Sequence, residues 1–129
     1  MRSHIEFRLH SGACPDAARL LSELAQALAE MLTMRGWSCQ PVVEEDWGMC
    51  IPIKGVSFPL WIGLGVYPEY PDGLLCFMEP SRPRVRRMLR SISTIETLEP
   101  LANDVEQAIA TFQGAYALRW WSDEDVSGT

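Results

Sequence analysis

The sequence lacks the cysteine pairs that bind zinc or carry out redox chemistry. Its cysteines, Cys14, Cys39, Cys50 and Cys76, are separated by 25, 11 and 26 residues, so no close CxxC-type pair is present. Free cysteine packs like a small hydrophobic residue. We therefore expect buried free thiols, with disulfides as the alternative, and no metal or other cofactor.

Long hydrophobic segments are also missing. The longest apolar run, Leu60 to Tyr67, is much shorter than the roughly 20 residues that a membrane-spanning helix needs. The start of the chain, Met1 to Phe7, places charged side chains among apolar ones, where a signal peptide has a hydrophobic core. The sequence therefore predicts a cytoplasmic protein without a membrane partner.

Catalytic patterns are absent as well. No serine has the context of a nucleophile elbow, and no acid or cysteine is spaced to complete a triad with a histidine. His4 and His10 lie on one predicted strand, roughly 20 Å apart by strand rise, which is too far for them to share a metal. Gly63 and Gly65 lie within a strand pattern without a following helix, so close packing explains them better than a phosphate-binding loop. We predict that the protein is not an enzyme.

The charge is strongly negative, with one basic exception. A net charge of -6 disfavours nonspecific binding to nucleic acid, so we expect a basic partner and no nucleic acid. Five of the eleven basic residues nevertheless fall within nine positions, at Arg82, Arg84, Arg86, Arg87 and Arg90. On a predicted short helix, Arg82, Arg86 and Arg90 align at i, i+4 and i+8. The stripe is either an anion site or an exposed face neutralised by the acidic body.

What the sequence does contain is the composition and periodicity of one globular domain. The 129 residues are 47% hydrophobic and 22% charged, which is enough apolar material for a core. Alternation predicts strands near 4–10, 38–45, 49–53, 58–66, 74–78 and 115–122, the last with Tyr116 and Trp120 on one face and Trp121 on the other. Helical spacing predicts two long helices, one from 17 to 35 and one capped by Thr97 and closed by Gly114.

These elements predict a single α+β domain over residues 1–129. We expect a largely antiparallel sheet of about five to six strands, with the two long helices packed on one face. Residues 123–129 are predicted to be a frayed acidic tail.

The segment from Glu44 to Gly48 is the main candidate site. It places three acids, Glu44, Glu45 and Asp46, before Trp47, near a predicted hairpin. Neighbouring residues on a strand point to opposite faces, so at most Glu44 and Asp46 converge, which favours a partner-binding patch over a catalytic pair. Trp47 either caps the core or anchors an interface, where indoles are enriched. A second candidate surface lies in a proline-set loop at Glu69, Tyr70 and Asp72.

The segment Glu45-Asp46-Trp47-Gly48, followed by Ile62-Gly63-Leu64-Gly65 and Phe77-Met78-Glu79-Pro80, resembles small, functionally uncharacterised bacterial proteins with an acidic EDWG-type segment. In general character, the chain also resembles bacterial immunity proteins, which neutralise antibacterial toxins. This second resemblance implies a tight complex with a cognate toxin that has a basic surface, often at the toxin's active site. The contacts expected from it are Glu44, Glu45, Asp46 and Trp47 first, then Glu69, Tyr70 and Asp72.

Two other functions stay open at the level of sequence. A regulatory domain that binds a small molecule or nucleotide would use Arg82, Arg86 and Arg90 for an anion and the face beside Gly63 and Gly65 for an aromatic group. A structural homodimer would use an exposed strand edge or the tryptophan-rich surface.

Overall fold

The structure, a computed structural model, describes residues 1–10 and 16–122; Cys14 and the predicted tail at 123–129 lie outside these residues. The α+β class predicted from the sequence is confirmed. In chain order the elements are β1 (Arg2–Leu9), α1 (Ala17–Met34), β2 (Ser38–Cys39), β3 (Val43–Glu45), β4 (Gly48–Lys54), β5 (Leu60–Val66), β6 (Gly73–Glu79), β7 (Arg84–Arg87), β8 (Arg90–Ser93), α2 (Ile95–Ala110) and β9 (Ala115–Ser122).

The main sheet is antiparallel and has seven strands in the order β2-β4-β5-β6-β1-β9, with β3 also paired to β4. The first strand, β1, therefore lies between β6 and the last strand, β9. The predicted strand at 38–45 is divided into β2 and β3 around Pro41, whose ring nitrogen cannot donate a ladder hydrogen bond. This division explains why the count is higher than the sequence predicted.

Both helices pack on one face of the sheet. The alternating side chains Ile5, Phe7 and Leu9 of β1 are buried on that face. The apolar stripe of α1, with Leu21, Leu24, Leu28 and Leu32, and that of α2, with Leu98, Leu101, Val105 and Ile109, complete the same core. Neither described helix is long and apolar enough to cross a membrane.

A side-chain cap fixes the start of α1 but not that of α2. Asp16 caps α1 by accepting a hydrogen bond from the backbone N–H of Arg19, at 3.1 Å. Helix α2 begins earlier than the sequence predicted, because its N-cap is Thr94 and not Thr97. Thr94 is buried, and its hydroxyl donates to the carbonyl of Arg82, which ties the start of α2 to the preceding hairpin.

The predicted helix over Arg82 to Arg90 is wrong, because this segment is the antiparallel hairpin of β7 and β8. Val85 and Ile92 pair across the two strands and pack against the core. This packing favours strands, in which alternate side chains point to the same face. The arginine stripe is therefore wrong too. Arg86 lies opposite Ser91 on one face of the hairpin, and Arg90 lies opposite Arg87 on the other.

Candidate partner-binding site

The sheet face opposite the helices carries a continuous group of aromatic side chains. The pairing registers of β4, β5, β6, β1 and β9 align one row across the sheet, which runs Cys50, Gly63, Phe77, His4 and Trp121. The imidazole of His4 is stacked between the rings of Phe77 and Trp121, with centroid distances of 5.6 and 5.5 Å. With the rings that contact this row, we call the group the aromatic face: His4, Trp47, Trp61, Tyr67, Phe77 and Trp121.

The glycines of β5 make this packing possible. A Cβ atom on Gly63 would lie 2.3 Å from Cζ of Phe77, so the phenyl ring occupies the space where a side chain would be. On Gly65, an added Cβ would lie 2.9 Å from the backbone oxygen of Trp47. Close packing therefore accounts for both glycines, through the phenyl ring of Phe77 at Gly63 and through the backbone oxygen of Trp47 at Gly65.

Trp47 lies on the aromatic face and remains partly exposed. Its ring centroid is 5.7 Å from that of Trp61 and 5.4 Å from that of Phe77, and 44% of the residue is accessible to solvent. The sequence left open whether Trp47 caps the core or faces outward. One side of the indole packs on the other rings and the remainder is exposed to solvent.

Next to Trp47, β3 and the β3-β4 turn form what we call the acidic turn: Glu44, Glu45 and Asp46. Glu45 pairs with Gly48 and Glu44 with Met49, so these two acids lie on opposite faces of the strand pair, as alternation predicts. Asp46 lies in the turn beyond the strand, so alternation does not bring it together with Glu44. All three residues are exposed, and none of their carboxylates forms a salt bridge with a described residue.

The three residues of the second predicted surface differ in how far contacts within the protein already engage their side chains. Glu69 is exposed and Tyr70 is 40% exposed, but the carboxylate of Asp72 is already engaged. It accepts hydrogen bonds from the Tyr116 hydroxyl at 2.5 Å and from Nε of Arg8 at 2.7 Å. These two contacts hold the pKa of Asp72 below its ordinary value. Asp72 therefore holds the loop in its conformation, and its carboxylate is already engaged by Tyr116 and Arg8.

Arg8 connects this polar network to Tyr70. Its guanidinium carbon lies 4.5 Å from the centroid of the Tyr70 ring and 5.3 Å from that of Tyr116. The ring of His10 stacks on the other ring of the network, that of Tyr116, at 4.0 Å. The loop that carries Tyr70 is thus held by a charged hydrogen bond and a cation–π contact, both from β1.

Between the two surfaces lies Glu6, a residue that no sequence pattern indicated. Only 6% of it is exposed, and Nη1 of Arg119 donates to its Oε1 at 3.2 Å. Glu6, Phe7, Arg8, Tyr70, Ala117 and Arg119 line a cavity of about 190 Å³. Burial raises the pKa of the neighbouring Tyr67, and the negative charge of Glu6 raises it further.

Strand β9 also departs from the predicted alternation. Ala117 has a positive φ of 56° at a register shift, so Tyr116 pairs with Arg8 while Trp121 pairs with His4. Tyr116 and Trp121 therefore share the aromatic side of the sheet, whereas simple alternation placed them on opposite faces. The indole nitrogen of Trp121 is buried and has no hydrogen-bond acceptor within residues 1–10 and 16–122.

The thiols resemble packing groups more than reactive ones. Cys76 is buried and free, and its burial raises the pKa of the thiol to about 12. Cys39 and Cys50 are free and half-buried. No group of three or more potential metal ligands occurs in the described part of the chain.

Strands β7 and β8 and the Met88-Leu89 turn that joins them form what we call the basic hairpin. It places the arginines differently from the sequence prediction. Arg82, Arg84 and Arg86 line an open cavity of about 470 Å³ with Val85 and Ser91. Arg84 donates from Nε to the Ser91 hydroxyl at 2.8 Å. Arg90 does not line this cavity.

Comparison with known proteins assigns no family. No protein-family model matches the chain, and no curated protein sequence matches it significantly.

Proposed function

We propose that the protein is an immunity-type binding protein of the bacterial cytoplasm. It neutralises a cognate antibacterial toxin by docking the aromatic face and the acidic turn onto a basic cleft of that toxin. The observation that carries this proposal is Trp47, which is 44% exposed although its ring packs on Trp61 and Phe77, directly beside carboxylates that form no salt bridge within residues 1–10 and 16–122.

The packing around Trp47 supports its role as an anchor. An exposed side chain loses rotamer freedom when a partner immobilises it, which opposes binding. Trp47 is already confined by two rings, so less of this freedom is lost on association. Tryptophan is also one of the residue types enriched at interface hot spots.

The acidic turn attracts a basic surface and increases the rate of association with it. Glu45 and Asp46 directly precede Trp47 and repel each other, while Glu44 lies on the opposite face of the strand pair from Glu45, and a basic surface relieves this repulsion on contact. The attraction also steers encounter at long range, so association is fast at low ionic strength and slows as salt is added. A toxin cleft that binds an anionic substrate has the positive charge that this surface needs.

The second contact region is Glu69 and Tyr70. Arg8 and Asp72 hold the Tyr70 ring in place, so Asp72 supports the contact without making it. The loop adds the ring of Tyr70 and the carboxylate of Glu69 to the docking surface.

Binding to the toxin domain encoded by the adjacent gene, measured by calorimetry, tests the proposal. Trp47→Ser is expected to weaken binding by about 30-fold, the effect of losing one hot-spot side chain. Glu45→Lys with Asp46→Lys is expected to weaken it at least as much and to reduce its salt dependence.

Two matched controls separate the surface from general effects. Glu30→Lys with Glu96→Lys changes the net charge by the same amount at exposed positions on the helices, and Met34→Ser removes an apolar group that is 87% exposed on α1. Both variants should bind as the unaltered protein does. Undiminished binding by the Trp47 and acidic-turn variants would refute the assigned surface, and strong thermal stabilisation by a nucleotide would favour the regulatory-domain alternative.

A further inference from the structure

We propose that the basic hairpin docks the protein peripherally on an anionic phospholipid surface, with Met88 and Leu89 entering the bilayer. This inference is independent of toxin binding and uses different residues. The tip carries the two most exposed large hydrophobic side chains among the described residues, Met88 at 94% and Leu89 at 98%.

Neither packing nor turn geometry explains these two residues. Two-residue hairpin turns favour asparagine and glycine, because such turns require positive φ angles. Met88 has a φ of 59°, a conformation that costs free energy for a residue with a side chain. Exposed methionine and leucine at this point therefore indicate a contact that the isolated chain does not make.

The arginines around the tip have no acidic partner within the described residues. Arg87 and Arg90 lie directly opposite each other, a like-charge cross-strand pair that is unfavourable unless an anion lies between them. None of the five arginines from Arg82 to Arg90 forms a salt bridge with a residue of the described chain. The hairpin thus concentrates positive charge on a protein whose net charge is -6.

The order of groups along the hairpin matches the layers of a bilayer. The apolar tip comes first, Arg87 and Arg90 flank it, and Arg86 and Arg84 follow at about 7 and 13 Å by strand rise. A membrane presents hydrocarbon beneath a phosphate-bearing headgroup layer of roughly 6 Å on each side. When the tip enters the hydrocarbon, the flanking guanidinium groups reach the phosphates, where arginine binds strongly.

The base of the hairpin is fixed while the tip projects. Val85 and Ile92 pack against the core, and the backbone N–H of Thr94 donates to the carbonyl of Pro83 at 2.9 Å. The hairpin is therefore presented in a defined orientation. A nucleic acid would use the arginines equally well but gives the Met88-Leu89 tip no apolar layer to enter, which is why the lipid surface is favoured. The sequence prediction of no membrane partner depended on the absence of a spanning segment, which is not a test of peripheral docking.

Flotation of the full chain with vesicles tests the proposal. Vesicles of phosphatidylcholine mixed with phosphatidylglycerol should carry the protein, vesicles of phosphatidylcholine alone should not, and binding should fall as salt is raised. Met88→Asp with Leu89→Asp should lower the bound fraction by about tenfold or more, because two apolar side chains no longer leave water. Arg87→Gln with Arg90→Gln should lower it by about as much, because these two guanidinium groups are the ones placed at the phosphates.

Met34→Asp with Gln26→Asp is the matched control, since both residues are exposed on α1, lie outside the hairpin, and the variant adds the same two negative charges. It should bind vesicles as the unaltered protein does, and circular dichroism should show that every variant is folded. Equal binding to both vesicle types, or no binding to either, overturns the proposal. So does undiminished binding of the tip variant, or salt-dependent binding of duplex DNA that the tip variant retains.

Discussion

Replacing Gly63 with alanine is expected to destabilise the fold through one contact. The added Cβ would lie 2.3 Å from Cζ of Phe77 and 2.7 Å from both of its Cε atoms, so the ring has to move. The rings of Trp47, Trp61 and His4 surround Phe77 and limit that movement. Overpacking of this kind costs about 1–3 kcal/mol, whereas alanine in place of a strand glycine gains about 0.4–1 kcal/mol through the unfolded chain. We expect a net loss of about 1–2 kcal/mol.

A double-mutant cycle isolates the contact. Phe77→Leu removes the ring that lies over Gly63, so in that background Gly63→Ala should be neutral or slightly stabilising. The coupling free energy between the two positions should then be about 1–3 kcal/mol, in the range measured for residues in contact. Urea unfolding, monitored by tryptophan fluorescence, gives the free energy of unfolding of all four proteins by the same linear extrapolation.

Phe112→Leu provides the control background. Phe112 packs on Phe7, on the helix side of the sheet, and should not alter the cost of Gly63→Ala. If Gly63→Ala costs as much with Phe77→Leu as without it, the ring is not the obstacle and the explanation of the glycine is refuted. The same variants test the aromatic face, because a displaced Phe77 withdraws support from Trp47.

Two further predictions concern ionisable groups. The pKa of Asp72 is lowered in the folded protein, so Asp72→Asn should destabilise it at neutral pH, and the difference should shrink as pH falls below about 3.9 and through the lower folded pKa. A difference that is constant across pH in urea unfolding would contradict this. The thiol of Cys76, with a pKa of about 12, should be alkylated far more slowly than that of Cys50 in the native state, as peptide mass spectrometry would show; equal rates would contradict its burial.

The main sheet and the two helices follow from periodicity because burial on one face imposes it. The alternation from Ile5 to Leu9 and the three- and four-residue spacing of the leucines in α1 are direct consequences of a shared core. Periodicity carries no information about which strands pair. The position of β1 between β6 and β9 depends on contacts such as Arg8 with Asp72, which are 64 residues apart in sequence.

The basic hairpin shows where local sequence misleads. Arginine, methionine and leucine all have high helix propensity, and the segment from Arg82 to Arg90 is too short for its period to decide. Tertiary contacts decide instead, since Val85 and Ile92 pack against the core only as neighbours across two strands. The bulge at Ala117 is similar, because nothing in its sequence marks the positive φ that moves Trp121 to the aromatic face.

The two proposed surfaces meet at Trp61. A test that affects one surface without damaging the other therefore has to use a change in charge. Trp61 contacts Trp47 beside the acidic turn, and it also lines a cavity of about 470 Å³ with Arg86 and Arg87 of the basic hairpin. A substitution at Trp61 would therefore disturb both surfaces and could not show which of them binds the toxin and which the membrane. Charge reversal separates them, because Glu45→Lys with Asp46→Lys removes the attraction for a basic toxin while it reduces the repulsion between the acidic body and an anionic membrane. Toxin binding and vesicle binding should then change in opposite directions in one variant, a result that general loss of structure cannot produce.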